Sequence, residues 1–407
     1  MSGEVAEVSA EAAPPAQGFR RTVALLAFAL FVIVTTEFAV VGLLPGMASD
    51  LEVSLADTGW FVTSFALAGA LIGPPLTMLA GRRDPRHVLV VAAIVFAVGN
   101  LAIALIPDYS VVIAVRLLQG CVLPTGVSVA IVAAARLAGT GREGWAVSIV
   151  NIGVVAATVL GVPAGVLVAD MAGWTTSFAV LASLGVASAF LIIVWFPRVD
   201  AETPPSILAE ASLLWQPVFL THLLLSGALF AAMFVGYTYV AGFLGTVVGL
   251  GEAAVAWALI GFGIAGIFGN WLAGRSVDRD PLNATAWVAL TLMLAMAAIA
   301  PAAKEPRLLT LVLGLWGTAH MAAFVISQVR TLAAAPEAPA FASSLNISVC
   351  NLGIGVGASV GGHIVDHAGV EAIGYGGAAA AAAALVIAVG LKAATRLRSP
   401  SVTCARR

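Results

Sequence analysis

From Thr22 onward the chain is a succession of apolar runs, each close to the ~20 residues that a helix needs to cross the hydrocarbon of a bilayer. Twelve can be counted: 22–45, 58–80, 87–106, 110–135, 144–168 and 174–197, then 217–243, 252–273, 284–303, 307–332, 341–365 and 372–394. Hydrocarbon offers no water to an open backbone, so runs of this length fold as helices. Only 10% of the residues are charged, where a soluble domain carries about 25%, and mean hydropathy is +1.04. These features predict an all-α integral membrane protein of twelve transmembrane helices.

A polar stretch containing Pro204 and Pro205 divides the runs into two sets of six. The expected organisation is a disordered cytoplasmic N-terminus (1–19), a six-helix bundle (20–197), a central cytoplasmic linker (198–215), a second six-helix bundle (216–395) and a cytoplasmic tail (396–407). The N-terminal segment lacks the basic region of a cleavable signal, and the first run is too long for a signal core, so that run is expected to stay as span one. Of the 19 lysines and arginines, all but Arg116, Lys304 and Arg307 fall on the N-terminal side of the spans, among them Arg83, Arg279 and Arg330. The positive-inside rule makes that side cytoplasmic, with both termini inside a multi-pass protein of the cell membrane.

The two sets repeat. SIVNIGVVAATVLG (Ser148 to Gly161) lies on SVCNLGIGVGASVG (Ser348 to Gly361), with Ser148/Ser348, Asn151/Asn351, Gly153/Gly353 and Gly161/Gly361 each 200 apart. Two such halves related by a pseudo-twofold axis along the membrane normal enclose a central cavity. Chance likeness of Gly/Ala-rich helices is the other reading.

Against this background two charges stand out. Glu37 sits in the middle of the first run, where a carboxylate costs roughly 2.5–3.5 kcal/mol on insertion scales. It is expected to be paired, protonated or turned toward an aqueous cavity. Arg116 is the one basic residue well inside a run. At a rise of about 1.5 Å per residue both lie roughly 10–12 Å below the outer ends of their spans, so an ion pair or a water-bridged pair is expected. The guanidinium, charged at every physiological pH, is the natural counter-ion for Glu37 until substrate or conformation separates them. A structural clamp between spans one and four is the alternative role for Arg116.

Four pieces of sequence together resemble the major facilitator superfamily, in particular its twelve-span drug/proton antiporters of the arabinose-, nucleoside- and chloramphenicol-efflux-like branch. They are TTEFAVVGLLPGMASDL (35–51), RLLQG (116–120), LGVPAG (160–165) followed by Gly173-Trp174, and GRSVDR (274–279). The likeness covers nearly all of 20–397. It implies two pseudo-symmetric bundles that rock about a central site, and a role in proton coupling for the arginine at 116. It also implies a hinge at Gly161, Pro163 and Gly165, with Val162 in the usual proline place; generic small-residue packing is the alternative. A cytoplasmic gate is implied at Gly274, Asp278 and Arg279, with Asp278 bonding a neighbouring helix end. The first-half counterpart keeps Arg83 but has Thr77 where an aspartate falls, and holding the loop inside is the alternative role for its arginines. After Gly173 the expected Trp-Arg pair is Trp174-Thr175.

Other polar residues inside the runs must each find a hydrogen bond. Thr36, Gln119, Asn151, Asn346 and Asn351 are candidates for the cavity wall, with interhelical bonding as the default use of each. His320 is singled out because imidazole titrates near neutrality. Tyr237 and Tyr239, with Trp257, Phe262 and Trp316, are candidate aromatic walls.

Nothing reads as an enzyme or calls for a cofactor. There is no phosphate loop, zinc spacing or nucleophile elbow, and GFGIAG (261–266) lies inside an apolar run with no strand before it. Cys121, Cys350 and Cys404 are too scattered for a metal site or a disulfide framework, and a net charge of −2 gives no basic field for nucleic acid. The expected function is a proton-coupled transporter, a functional monomer in the bilayer, that exports a small amphipathic drug-like compound or metabolite. A sugar or nucleoside symporter or facilitator of the same fold is the alternative, and a non-transporting receptor a more distant one.

Overall fold

The computed structural model describes residues 18–139, 142–197, 213, 215–277 and 279–398. Among them are twelve helices long and apolar enough to span a membrane: Phe19–Asp50, Leu55–Ala80, Pro85–Leu105, Tyr109–Ala138, Glu143–Ala172, Trp174–Trp195, Pro217–Thr246, Glu252–Val277, Pro281–Ala302, Pro306–Ala333, Phe341–Ala368 and Val370–Ala394. Every expected run is present. The first helix begins at Phe19, inside the segment expected to be disordered, and the last extends to Arg398, into the expected tail. Asp278 and nearly all of the linker lie outside the described residues.

Helix starts follow local chemistry. Pro85, Pro217, Pro281 and Pro306 each stand in the first turn, where a missing N–H costs no intrahelical bond. Asp84, Asp108 and Asp280 accept from backbone N–H groups just inside their helices.

The sequence repeat is a packing repeat. A side chain at Gly153 would lie 2.0 Å from Ala27 O, and one at Gly353 would lie 2.4 Å from Gly227 O. Span five therefore touches span one, and span eleven touches span seven, through equivalent glycines on equivalent partners. Between membrane helices, where lipid is as apolar as leucine, such backbone approach supplies the van der Waals contact that holds them.

The two halves meet along a seam. The face where span one begins carries most of the arginines and is here called the basic face; the other is the far face. On the far side Tyr239 of span seven donates to Ala358 O at 2.9 Å and packs on Gly59, Gly361 and Gly362. Val159 lies on Gly263, and Phe38 stands 6.1 Å from Phe234. Span five is broken into Glu143–Ala156, a π-helical turn Ala157–Gly161, and Val162–Ala172. Its packing on span eight falls on the last two pieces, toward the far face. Toward the basic face a cleft separates spans two and four from span eleven.

Candidate functional site

RLLQG explains how spans two and four come together. A side chain at Gly120 would lie 2.2 Å from Phe65 O, so only glycine admits this approach. One turn earlier Arg116 then lies over the Phe65 ring, 4.0 Å from its centroid. Its Nε donates to Phe61 O, its Nη1 to Thr36 O and its Nη2 to Glu37 O, each at 3.0 Å. Arg116 is 1% exposed, and its guanidinium joins spans one, two and four.

Of the two arrangements expected, the direct ion pair is not formed, although the two charges still act on each other. No carboxylate oxygen of Glu37 lies within 4.0 Å of the guanidinium. The depth match was right, but Arg116 holds the backbone of Glu37 instead of its side chain. The Glu37 carboxyl is half-buried and has no hydrogen-bond or ion-pair partner among the described residues. A flat five-donor group wedged between helices finds carbonyls on several sides, and three of its N–H groups are used on them.

Around this turn the polar side chains bond to one another, although the buried Gln119 Oε1 has no partner. Gln119 Nε2 donates to Asn100 Oδ1 at 3.1 Å, Asn100 Nδ2 to Thr36 Oγ1 at 3.0 Å, and Thr36 Oγ1 to Val32 O at 3.0 Å. Gln119, Asn100 and Thr36 are fully buried. Thr36 and Gln119 are thus internal bonding partners and not cavity-facing groups.

The antiporter-like motif lies at the break in span five. Gly161 ends the π-helical turn, and a side chain there would lie 2.2 Å from Thr35 Oγ1 of span one. Pro163 stands in the first turn of the following segment, where it lacks an N–H for the preceding turn. Gly165 meets only Ala39 Cβ, at 3.5 Å for an added side chain, and its carbonyl accepts from Ser177 Oγ at 2.7 Å. Of the Trp174-Thr175 pair, Trp174 donates from Nε1 to Asp50 Oδ2 at 2.8 Å.

In the second half, His320 is enclosed by the rings of Tyr237, Phe262, Phe234 and Phe324, with centroids 4.6–5.9 Å away. Trp316 closes on Phe262 edge-on. Tyr237, Phe262 and Trp316, three of the expected wall residues, pack with His320 as a buried cluster. Trp257 does not: it is 66% exposed on the outer surface of span eight. Tyr239 belongs to the far-face seal.

Asn346 donates to Gln328 Oε1 and accepts from Thr331 Oγ1, both at 2.9 Å. Asn351 is buried, with Nδ2 on Ile347 O at 3.0 Å and Oδ1 unpartnered. Its repeat partner Asn151 is exposed on the first segment of span five. Arg83, Gly274 and Arg279 are exposed at the basic face, and Asp278, the remaining member of the expected gate, lies outside the described residues.

Sequence reading misplaced one residue of consequence. Arg330, assigned to the loops, is 1% exposed inside span ten. Its Nη1 donates to His222 O at 2.9 Å and lies 3.2 Å from His222 Nδ1, while its Nη2 donates to Ser226 Oγ at 2.7 Å. The signal was His222 and Ser226, one turn apart in an apolar run. Among the described residues the interior therefore carries two guanidinium groups and one acid, not one of each.

A family model, that of the Major Facilitator Superfamily, matches residues 26–358. The chain belongs to the Major Facilitator Superfamily. It is 32% identical, over 84% of its length and 87% of the relative's, to the inner membrane transport protein YdhP of Escherichia coli O157:H7. Its fold is similar to that of a mutant of the nucleoside transporter NupG (TM-score 0.77, 15% identity, 92% of this chain and 99% of that one). It is also similar to a bacterial homologue of the human lysosomal transporter Spinster in an inward-facing, unoccupied conformation (TM-score 0.69, 18% identity, 93% and 96%). The protein is a multi-pass membrane transporter of this superfamily, acting on small molecules, and not an enzyme.

Proposed function

We propose that the protein exports a small amphipathic compound in exchange for protons, working as a monomer in the cell membrane with its basic face and both termini in the cytoplasm. Glu37 carries the proton. The observation behind this reading is its half-buried carboxyl deep in span one, left without a partner while the nearest cation is committed to backbone carbonyls. A carboxyl placed this way binds and releases a proton without breaking a structural ion pair. Arg116 is a positioning residue: it fixes the turn that bears Glu37 and keeps a positive charge beside it in every state of the cycle.

The seam supports an alternating-access reading. Its contacts lie toward the far face and the halves part toward the basic face, which corresponds to an inward-open state. Reversing it requires the far-face contacts of Tyr239 and Val159 to separate. The π-helical turn at Gly161 is the natural hinge, since one extra residue in the turn already loosens the backbone ladder there. Arg83, Gly274, Asp278 and Arg279 would serve the opposite, cytoplasmic closure.

A sugar or nucleoside symporter is less well supported. Most of the interior amides such a solute would need, on Gln119, Asn100, Gln328 and Asn346, are bonded to one another or to Thr36 and Thr331, which leaves the carbonyl oxygens of Gln119, Asn270 and Asn351 unpartnered. The test is proton release from purified protein in proteoliposomes under an imposed pH gradient, screened against a panel of amphipathic compounds. Wild type is expected to show compound-driven proton movement that Glu37→Gln abolishes while inserting normally. Undiminished proton movement in the mutant removes Glu37 from the mechanism.

A further inference from the structure

The cleft on the basic side of the seam has two unlike walls. One, from spans two and four, is mainly apolar: Pro74, Pro124, Val127, Ile131 and Val132, with Thr77 and Ser128 among them. The other, from span eleven, presents Ser343, Ser344 and Ser348 around Ile347. The space between them is about 180 Å³, and no charged side chain lines it.

The serines keep hydrogen-bonding capacity toward the cleft. Ser343 Oγ accepts from Gln328 Nε2 at 2.6 Å, which leaves its own proton free to donate. Ser348 Oγ donates to Ser344 O at 3.0 Å, which leaves its lone pairs free to accept. The Ser344 hydroxyl has no partner among the described residues. One turn deeper, Asn351 is 6% exposed and its Oδ1 is without a donor. A side chain at Gly69 would meet that oxygen at 3.3 Å, so it is packed against span two across the seam, one turn beyond the residues that line the cleft.

We propose that this cleft is a binding subsite for uncharged amphipathic solutes, with the hydrogen-bonding head on Ser343, Ser344 and Ser348 and the ring or alkyl body on the proline-bearing wall. An ion entering it would lose hydration and gain no counter-charge, so the subsite discriminates against both signs. The proposal rests on the transporter reading for the identification of its ligand as cargo, not for the binding itself.

The test uses the full chain in nanodiscs, with Cys121, Cys350 and Cys404 replaced by serine and Ser344→Cys as the reporter. The rate of N-ethylmaleimide labelling is measured with naphthalene-2-carboxamide, naphthalene-2-sulfonate or naphthalen-2-ylmethylammonium present. The carboxamide is expected to slow labelling severalfold, and the two ions to leave it unchanged. Adding Ser348→Ala, which keeps the volume and removes the hydroxyl, is expected to raise the carboxamide concentration needed by about tenfold, one hydrogen bond's worth. Equal protection by an ion, protection by none of the three, or indifference to Ser348→Ala overturns the proposal. Ser128→Cys on the opposite wall provides the same readout if Ser344→Cys does not fold. Labelling needs no turnover, so failure of proton exchange with protection intact would count against the transport reading and leave the subsite standing.

Discussion

If Glu37 and Arg116 formed a buried ion pair, removing either partner would cost about 3–5 kcal/mol, because the other would be left charged and unpaired. The geometry predicts a different result for Glu37→Gln: a loss below about 1 kcal/mol, since the carboxyl has no partner to lose and amide replaces acid at equal size. Arg116→Lys should behave otherwise. One ammonium cannot reach Phe61 O, Thr36 O and Glu37 O together, and it loses the flat stacking on Phe65. Hydrogen bonds to charged groups are worth about 1.5–3 kcal/mol each in water-soluble proteins. Interhelical bonds in bilayers average about 0.6, because the separated helices find other partners. Two lost bonds and the stacking together come to about 2–4 kcal/mol. For a bundle of this size that is a fall in Tm on the order of 10 °C. The assay is thermal unfolding in detergent, followed by tryptophan fluorescence, for both single mutants and the double mutant. The expected coupling between the two substitutions is below about 1 kcal/mol. If Glu37→Gln alone destabilises as much as Arg116→Lys, and the double mutant is no worse than either, the two side chains are an ion pair and the clamp reasoning fails.

The remaining predictions test the hinge, the second arginine and the seal. Gly161→Ala should cut transport and stability, since its methyl would meet the stiff Thr35 side chain at 2.2 Å, whereas Gly165→Ala, facing Ala39 at 3.5 Å, should be tolerated; equal effects in a transport and Tm comparison would remove the motif's asymmetry. Arg330→Lys preserves any topogenic charge but loses the bonds to His222 and Ser226, so Tm should fall by several degrees with topology unchanged, as read by cysteine accessibility. An unchanged Tm would return Arg330 to a topogenic role. Tyr239→Phe removes the bond to Ala358 O on the far side of the seam, and labelling of a far-face cysteine reporter should rise severalfold as the outward-open state gains population; a drop would mean the hydroxyl opposes closure.

The twelve spans, the two halves and the depth of Glu37 and Arg116 were legible because hydropathy, repeat spacing and the rise of a helix are properties of one dimension. Even the packing glycines of spans five and eleven are visible as Gly153 and Gly353, 200 residues apart. Which way a side chain turns is a different kind of quantity. Arg116 and Glu37 share a depth, yet the guanidinium bonds to carbonyls of spans one and two because Gly120 lets span four approach closely enough to reach them. Arg330, near the end of its run, has the sequence signature of a loop cation. It is buried because His222 and Ser226, more than 100 positions earlier, stand where its donors fall.

Trp257 and Tyr239 have the same lesson from the aromatic side: both read as wall residues, and one faces outward while the other seals the seam. Sequence alone thus determined that the chain crosses a membrane twelve times as a duplicated unit, since only apolar length and internal repetition are needed for that. Tertiary structure alone decided which buried charges are satisfied and which carboxyl is left free. Satisfaction depends on donors and acceptors supplied by other helices, and their azimuth is set by packing rather than by order along the chain.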